Sequence, residues 1–306
     1  MKQYGPGPTK WLDIQLDRNA TPDHPALKKL VKAFNLHPIT VKKIINPSTH
    51  SAVEDYGEYL FMTYHFPVYD PVYRVSRRSE IDFLITKDLV ATIHYEPLHA
   101  LEFAAEQCSI DDEDLSCYQT SLSLTYQIIS HLLNFNERQI RHVGEKVESI
   151  AEHLFHNEEE ELLRRISYIK RDIAEYRIIF NPIGRTLDTF KEIGVRFFGD
   201  HAFPYLLDLH DSYLRIHEKL ENYRGAMQDY DFTNNQLLNV KAGEIGKRLT
   251  MMSFMTFPLV LIATLFAVDL PGVPFKEHPY GFVILIIILL AIATGFLLYF
   301  KKQKWF

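Results

Sequence analysis

The sequence predicts an α+β domain that is followed by long stalk helices and by two transmembrane helices. Three observations support this fold class. Short runs rich in β-branched and aromatic residues recur between residues 10 and 100, as strands do. Apolar residues at heptad spacing begin at Leu206 and predict a long packed helix. Two uncharged apolar runs follow, each of about 20 residues, the length needed to cross a bilayer as a helix.

The overall composition restricts the classes of partner. The 306 residues carry a net charge of -6, which disfavours nucleic acid as a ligand. The opening residues, MKQYGPGPTKW, contain no apolar core of a signal peptide. The two cysteines, Cys108 and Cys117, imply no disulfide framework and fit a reducing compartment.

Residues 1–116 are expected to form the α/β domain, on the cytoplasmic side of a membrane. Helical spacing marks residues 24–34 and 98–107. The acidic run Ile110–Leu115 is interpreted as a solvated loop rather than a metal site. Three strands are predicted, the last two joined in a hairpin by Lys87 and Asp88: Tyr59–Phe66, Glu80–Thr86 and Leu89–Tyr95.

Residues 117–248 are expected to form a helical stalk domain. A charged turn at 156–165 separates its first two helices, and Pro182 is expected to interrupt the second. The third helix carries two rows of residues seven apart. Such a seam must be buried against helices of its own chain, of neighbouring copies, or of both, and oligomerisation is the simplest interpretation. The rows are Leu206, Tyr213, Leu220, Met227, Asn234 and Leu209, Ile216, Tyr223, Tyr230, Leu237.

The apolar runs predict a first transmembrane helix at 249–270, an outer loop at 271–280 and a second helix at 281–300. A basic cytoplasmic tail, 301–306, ends the chain. The flanks of both spans are basic, whereas the connector holds one lysine, so both termini are predicted to be cytoplasmic. The expected location is therefore the inner (plasma) membrane, with the protein crossing it more than once.

One face of the first span mixes small, hydroxyl and bulky apolar residues. Its members recur at steps of three and four: Gly246, Leu249, Ser253, Phe257, Val260 and Thr264. Helix–helix packing explains such a stripe, because small residues are common at packed membrane helices. A pore wall explains it equally, with apolar constrictions at Leu249 and Phe257 that gate by dewetting.

Four stretches, in this order along almost the whole chain, carry a resemblance to a known family. They are His37–Phe66, Arg171–Ile183, the run 205–230 leading into 247–266, and the ending 299–306. The chain thereby resembles the CorA family of divalent-cation transporters. The resemblance implies a funnel-shaped homopentamer whose stalk helices continue as the pore lining. It also implies passive uptake of hydrated Mg2+ through the bilayer, closure by cytoplasmic cation, and no organic cofactor.

The sequence departs from that family at the end of the first span. Where the family carries Tyr-Gly-Met-Asn, this chain has Phe266, Ala267, Val268 and Asp269. In the family the asparagine amides ring the outer mouth and receive the water shell of the ion. Asp269 keeps the oxygens and adds a charge, so we expect a cation-attracting ring; the alternative is a solvated carboxylate at a helix end. Glu277, in the outer loop, is a weaker candidate collector of cations.

Other candidate sites rest on fewer residues. Asp208 lies on the stalk helix where the family tends to carry a carboxylate facing the neighbouring subunit. The resemblance therefore implies a regulatory metal site there, and a solvated helix face is the alternative. His153 and His156 fit an exposed helix turn better than a metal site. No phosphate loop, nucleophile elbow or zinc-protease motif is present, so no enzyme is predicted.

The function predicted from these residues is a passive channel for divalent cations, most simply Mg2+, gated by cytoplasmic cation. Its partners are other copies of the chain, the bilayer and the cations themselves. Two alternatives follow from the altered signature. One is a relative with selectivity for Zn2+, Co2+ or Ni2+, and the other is a non-conducting membrane scaffold or sensor.

Overall fold

The computed structural model describes residues 2–5, 7–17, 21, 23–48, 50–70, 75–110, 117–156, 159–268 and 279–302. The chain divides into two compact units, Met1–Asp231 and Phe232–Phe306. The first unit holds a mixed sheet and long helices, and the second holds the apolar helices. The predicted class, an α/β domain with long helices and two candidate membrane helices, is confirmed.

A six-stranded sheet organises the first part of the chain, with strand order β1-β2-β6-β5-β4-β3. Neighbouring strands are antiparallel, except that β2 runs parallel to β6. The strands are β1 (Lys2–Tyr4), β2 (Lys10–Gln15), β3 (Ala52–Asp55), β4 (Leu60–Asp70), β5 (Val75–Ile85) and β6 (Leu89–His94).

Helices cover both faces of this sheet. Side chains alternate between the faces along each strand: Phe83 and Leu84, for example, lie in different apolar cores. The core with Leu84 includes residues of α1 (Pro25–Phe34) and α2 (Pro38–Ile45). The core with Phe83 includes residues of α3 (His99–Ile110), α4 (Ser121–His153) and α5 (Glu159–Phe198).

The predicted hairpin is confirmed. Strands β5 and β6 are antiparallel, Ile85 pairs with Val90, and the Thr86 amide donates to the Leu89 carbonyl across the turn (2.8 Å). The strands β1, β2 and β3 are additional findings. The edge strands β1 and β3 are only three and four residues long, too short to show a clear alternation in the sequence.

The predicted interruption at Pro182 was wrong. Helix α5 runs unbroken from Glu159 to Phe198 with Pro182 inside it. Proline removes one backbone hydrogen bond and is unfavourable by about 3 kcal/mol in a helix interior, but packing overrides that preference. Here Phe180, Ile183 and Leu187, on either side of the proline, are all buried.

The helix α6 (Phe203–Ala267) carries the heptad seam. From Leu206 to Met227 the seam is buried within the single chain except for Tyr223, which is half-buried. Those residues pack in the same core as α4 and α5. This half of the seam therefore needs no second subunit, and the argument from the seam to oligomerisation does not hold for it.

Two helices in the described part of the chain are long and apolar enough to cross a membrane. They are the helical stretch Asp200–Ala267, which includes α6, and the final helix α7 (Gly281–Lys302). The second predicted span falls within α7, and the first lies in α6 as far as Ala267; its last two residues, 269–270, lie outside the described residues. Most of the predicted outer loop, 271–278, lies outside the described residues.

No disulfide framework was expected from the sequence, but the structure contains one bridge. Cys108, near the end of α3, forms a disulfide with Cys117, which precedes α4. Both residues are buried. A count of two cysteines excludes a framework of several bridges but not one local bridge, because the pairing depends on how the chain turns between them. The inference of a reducing compartment accordingly loses its support.

Candidate pore and cation site

The predicted stripe occupies one side of the apolar end of α6. At about 100° per residue, its members from Gly246 to Thr264 fall within an arc of about 80°. They are exposed in the single chain, with Leu249 at 64%, Phe257 at 72% and Val260 at 52%. Nothing lies within 4 Å of the position that a Gly246 Cβ would occupy. Among the described residues of one copy, the stripe therefore has no covering side chains.

The opposite side of the same helix segment is its least exposed side. Met251 is 4% exposed, and the other less exposed residues recur at helical spacing on the same side. They are Met255, Pro258, Leu259, Ile262 and Phe266. The chain therefore covers the side away from the stripe and leaves the stripe itself for another subunit, water or lipid.

The stripe offers hydroxyl oxygens but no charge. The hydroxyl of Thr264 donates to the carbonyl of Leu261 (2.8 Å), which leaves its oxygen lone pairs as acceptors. Ser253 is exposed one turn before Phe257. Such neutral oxygens suit contact with a hydrated cation, whereas Leu249 and Phe257 supply the apolar sections.

The end of the stripe is described only in part. Ala267 is the last residue of α6, and exposed Val268 follows it. Asp269 and Glu277, the candidate acidic groups of the outer mouth, lie outside the described residues.

Asp208 lies on the first part of α6 and is exposed. The hydroxyl of Tyr126, on α4, donates to its Oδ2 (2.8 Å). The ring of Tyr126 also contacts that of Tyr205 edge to face, with centroids 5.3 Å apart. Partial burial, and secondarily the bond to Asp208, raises the pKa of Tyr126 to about 12, so the phenol remains a donor at physiological pH. Tyr126 therefore orients the carboxylate.

One chain alone does not assemble a metal site at Asp208. In the described ranges, no group of three or more His, Cys, Asp or Glu side chains is arranged to hold a metal ion. His153 and His156 meet only edge to face (5.8 Å), and Nδ1 of His153 donates to the Ser149 carbonyl (2.8 Å). A cation at Asp208 would therefore need further oxygens from water or from another subunit.

Sequence reasoning missed Tyr126 as a site residue. The sequence places it only within the range of the predicted stalk, and 82 positions separate it from Asp208. No local signal connects the two residues, because their contact depends on how α4 and α6 pack together.

Comparison with known proteins identifies a family and a fold that this chain resembles. A family model described as a CorA-like Mg2+ transporter protein matches residues 9–302. The cobalt/magnesium transport protein CorA of Thermotoga maritima is 20% identical over 279 residues, which cover 91% of this chain and 79% of that protein. The CorA magnesium transporter of Methanocaldococcus jannaschii has a TM-score of 0.83 and 16% identity, covering 98% of this chain and 92% of that chain. The full-length CmaX protein has a TM-score of 0.63 and 17% identity, covering 97% and 89%. At these identities the likeness to solved structures establishes the fold.

Proposed function

This chain belongs to the CorA family of Mg2+ transporters, and from that premise we propose that its copies assemble into a passive pore for divalent cations, with Mg2+ as the preferred substrate. The family is one of transporters rather than enzymes. Relatives named for cobalt and magnesium transport support a divalent cation as cargo. The uncovered stripe on α6 carries the proposal, because it is a continuous exposed face opposite the covered side of a membrane-length helix.

The stripe would line the pore. Two spans per chain cannot enclose a water-filled path, so several copies must share one, and a homopentamer is the proposed number. The exposed stripe would then face the axis, with Ser253 and Thr264 touching the hydration shell of the ion. Phe257 and Leu249 would form the constrictions where an empty pore loses its water.

Asp269 would form a ring of carboxylates at the outer mouth. Several carboxylates around one axis repel each other, and a divalent cation among them relieves that repulsion. Mg2+ gives up its waters reluctantly, so the ring would hold the hydrated ion rather than coordinate it directly. Glu277 would add charge to the same entrance.

The membrane location follows from the two candidate spans and the family. We place the protein in the inner (plasma) membrane with both termini in the cytoplasm. The excess of lysine and arginine just before the first span and just after the second supports this orientation. The sheet-containing unit, the predicted stalk (117–248) and the basic tail (301–306) would then all be cytoplasmic.

Ion flux into proteoliposomes tests the proposal. The full chain is reconstituted into vesicles that contain a Mg2+-sensitive dye. Mg2+ is then added outside while the membrane potential is held negative inside the vesicles. We expect saturable dye response from the wild type. In Asp269→Asn the carboxylate charge is lost and one oxygen is kept, so the Mg2+ concentration for half-maximal flux should rise roughly tenfold. Glu277→Gln, a loop control, should change it less.

Phe257 gives the experiment a second arm. Phe257→Ala should raise the maximal flux by widening a constriction. Phe254→Ala should not, because Phe254 is an exposed phenylalanine outside the stripe. Wild-type flux equal to that of empty vesicles would instead establish a non-conducting scaffold. Faster flux of Zn2+, Co2+ or Ni2+ than of Mg2+ would replace the proposed selectivity.

A further inference from the structure

A cavity of about 600 Å3 lies in the first unit, and neither Asp208 nor any residue of the stripe is among its described lining residues. Its walls come from β3 and the residues just before it, from β4 and β5, and from the middle of α5. This volume is within the range of about 300–1,000 Å3 that is typical of small-molecule pockets. The site is formed by secondary-structure elements rather than by a loop alone.

The charged side chains of this cavity are all basic or potentially basic. They are Arg78, Arg185, His50 and His65, and no aspartate or glutamate appears among the described lining residues. This bias is unusual in a chain whose net charge is -6. Two guanidinium groups beside hydroxyls are a recognition surface for phosphate, since arginine offers paired N–H donors to its oxygens.

The wall of the cavity at His65 is held by a defined hydrogen-bond network. His65 is 3% exposed, and its Nε2 donates to the carbonyl of Ser48 (2.9 Å), which can only accept. Its Nδ1 lies 2.7 Å from the Ser51 hydroxyl. Behind it, Glu80 lies 3.6 Å from Nε2 and accepts from the Ser48 amide (2.9 Å). The Ser51 hydroxyl is therefore fixed at the cavity wall.

The α5 side supplies both charge and apolar surface. Arg185 is exposed, and no carboxylate in the described ranges lies within ion-pair distance of its guanidinium group. Pro182 lies one helical turn before Arg185 on α5, and Ile178 lies one further turn before that. Ile178 is 75% exposed. With Val53 opposite, the cavity has an apolar section beside its basic one.

We propose that this cavity binds a nucleotide, with its phosphates on Arg185 and Arg78 and its sugar and base against Ile178 and Val53. The basic side chains account for the phosphates, and the apolar section accounts for an organic group rather than inorganic phosphate alone. The proposal goes beyond transport. It concerns a ligand of the sheet-containing unit and stands whether or not the chain conducts ions.

Isothermal titration of the full chain in mild detergent tests it. The probe is ATP, with EDTA in both solutions so that neither ATP-bound Mg2+ nor a Mg2+ response of the protein contributes heat. Tripolyphosphate and adenosine are titrated separately. We expect saturable binding of ATP, weaker binding of tripolyphosphate and no measurable binding of adenosine at the same concentration.

The variant Arg185→Ala should weaken ATP binding about tenfold or more, because a charge-assisted bond to phosphate is lost. Arg196→Ala is the matched control: Arg196 is another exposed arginine of α5, outside the cavity lining. Circular dichroism checks that both variants fold. The proposal is overturned if ATP gives no saturable heat, if both variants lose affinity equally, or if tripolyphosphate binds as tightly as ATP.

Discussion

At the residue scale, Asp82 shows what local sequence does not reveal. It lies on β5, is fully buried, and accepts at Oδ1 from the Thr63 hydroxyl on β4 (2.8 Å). Its Oδ2 is 2.9 Å from the hydroxyl oxygen of Tyr95. That hydroxyl has one hydrogen, and the Ile44 carbonyl, which can only accept, lies closer to it (2.6 Å). Burial, and then the charge of Glu80, raises the pKa of Asp82 to about 8. A protonated Asp82 completes this network by donating to Tyr95.

This raised pKa predicts how stability depends on pH. An unfolded aspartate has a pKa of about 3.9, so between about pH 4 and pH 8 the folded chain holds a proton that the unfolded chain has released. The contribution of Asp82 to stability is therefore fully present below about pH 4 and declines as the pH rises to about 8, by up to about 1.4 kcal/mol per pH unit. In Asp82→Asn, the decline between pH 5 and pH 8 should shrink.

Thermal unfolding of the full chain in detergent at several pH values measures this effect. Asp88→Asn, in the exposed turn between β5 and β6, is the control and should keep the wild-type dependence. A wild-type slope in Asp82→Asn would show that Asp82 is ionised in the folded protein. The sequence predicted the strand that carries Asp82, but not this role, because Thr63 and Tyr95 reach it only through strand pairing.

At the element scale, periodicity predicted most helices and the β5–β6 hairpin, and it failed where packing opposes local preference. Pro182 is the clearest case, since α5 continues through it. Two residues later, Gly184 allows α6 to approach closely. A Cβ at Gly184 would lie 2.5 Å from Cε1 of Tyr213. Tyr213 is itself held by stacking on Phe180 (5.1 Å) and by donating to the Asn181 carbonyl (3.2 Å).

Gly184→Ala should therefore destabilise the protein by about 1–3 kcal/mol, because the added methyl group overpacks a contact that cannot easily relax. Gly225→Ala is the matched control. Gly225 also lies inside a helix, but its Cβ position has nothing within 4 Å, so alanine there should stabilise by about 0.5–1 kcal/mol. Thermal unfolding of both variants measures the difference. Equal effects would mean that Tyr213 moves aside.

At the scale of the whole molecule, the resemblance to a known family predicted more of the structure than the hydrophobic patterns did. Four matching stretches led to the family, and the family model covers residues 9–302. The heptad seam was a poorer guide, because Leu206 to Met227 is largely buried by the chain itself. The surface that we propose faces other copies is the exposed stripe on α6. A sequence pattern alone cannot separate these two cases, since both are apolar rows at helical spacing.

Asp208 supplies the prediction that belongs to the assembly. The described residues of one chain offer no group of three metal-binding side chains, so a regulatory Mg2+ at Asp208 would take its further oxygens from water or from a neighbouring copy. We expect the neighbouring copy to supply some of them, so that the cation braces the closed form. Mg2+ should then slow tryptic cleavage of the wild type, and Asp208→Asn should reduce that protection several-fold. Asp211→Asn, which changes another exposed carboxylate one turn away, should not. Native mass spectrometry in the same detergent should give five copies; unchanged protection in Asp208→Asn, or full protection of solitary chains, would contradict a cation shared between subunits.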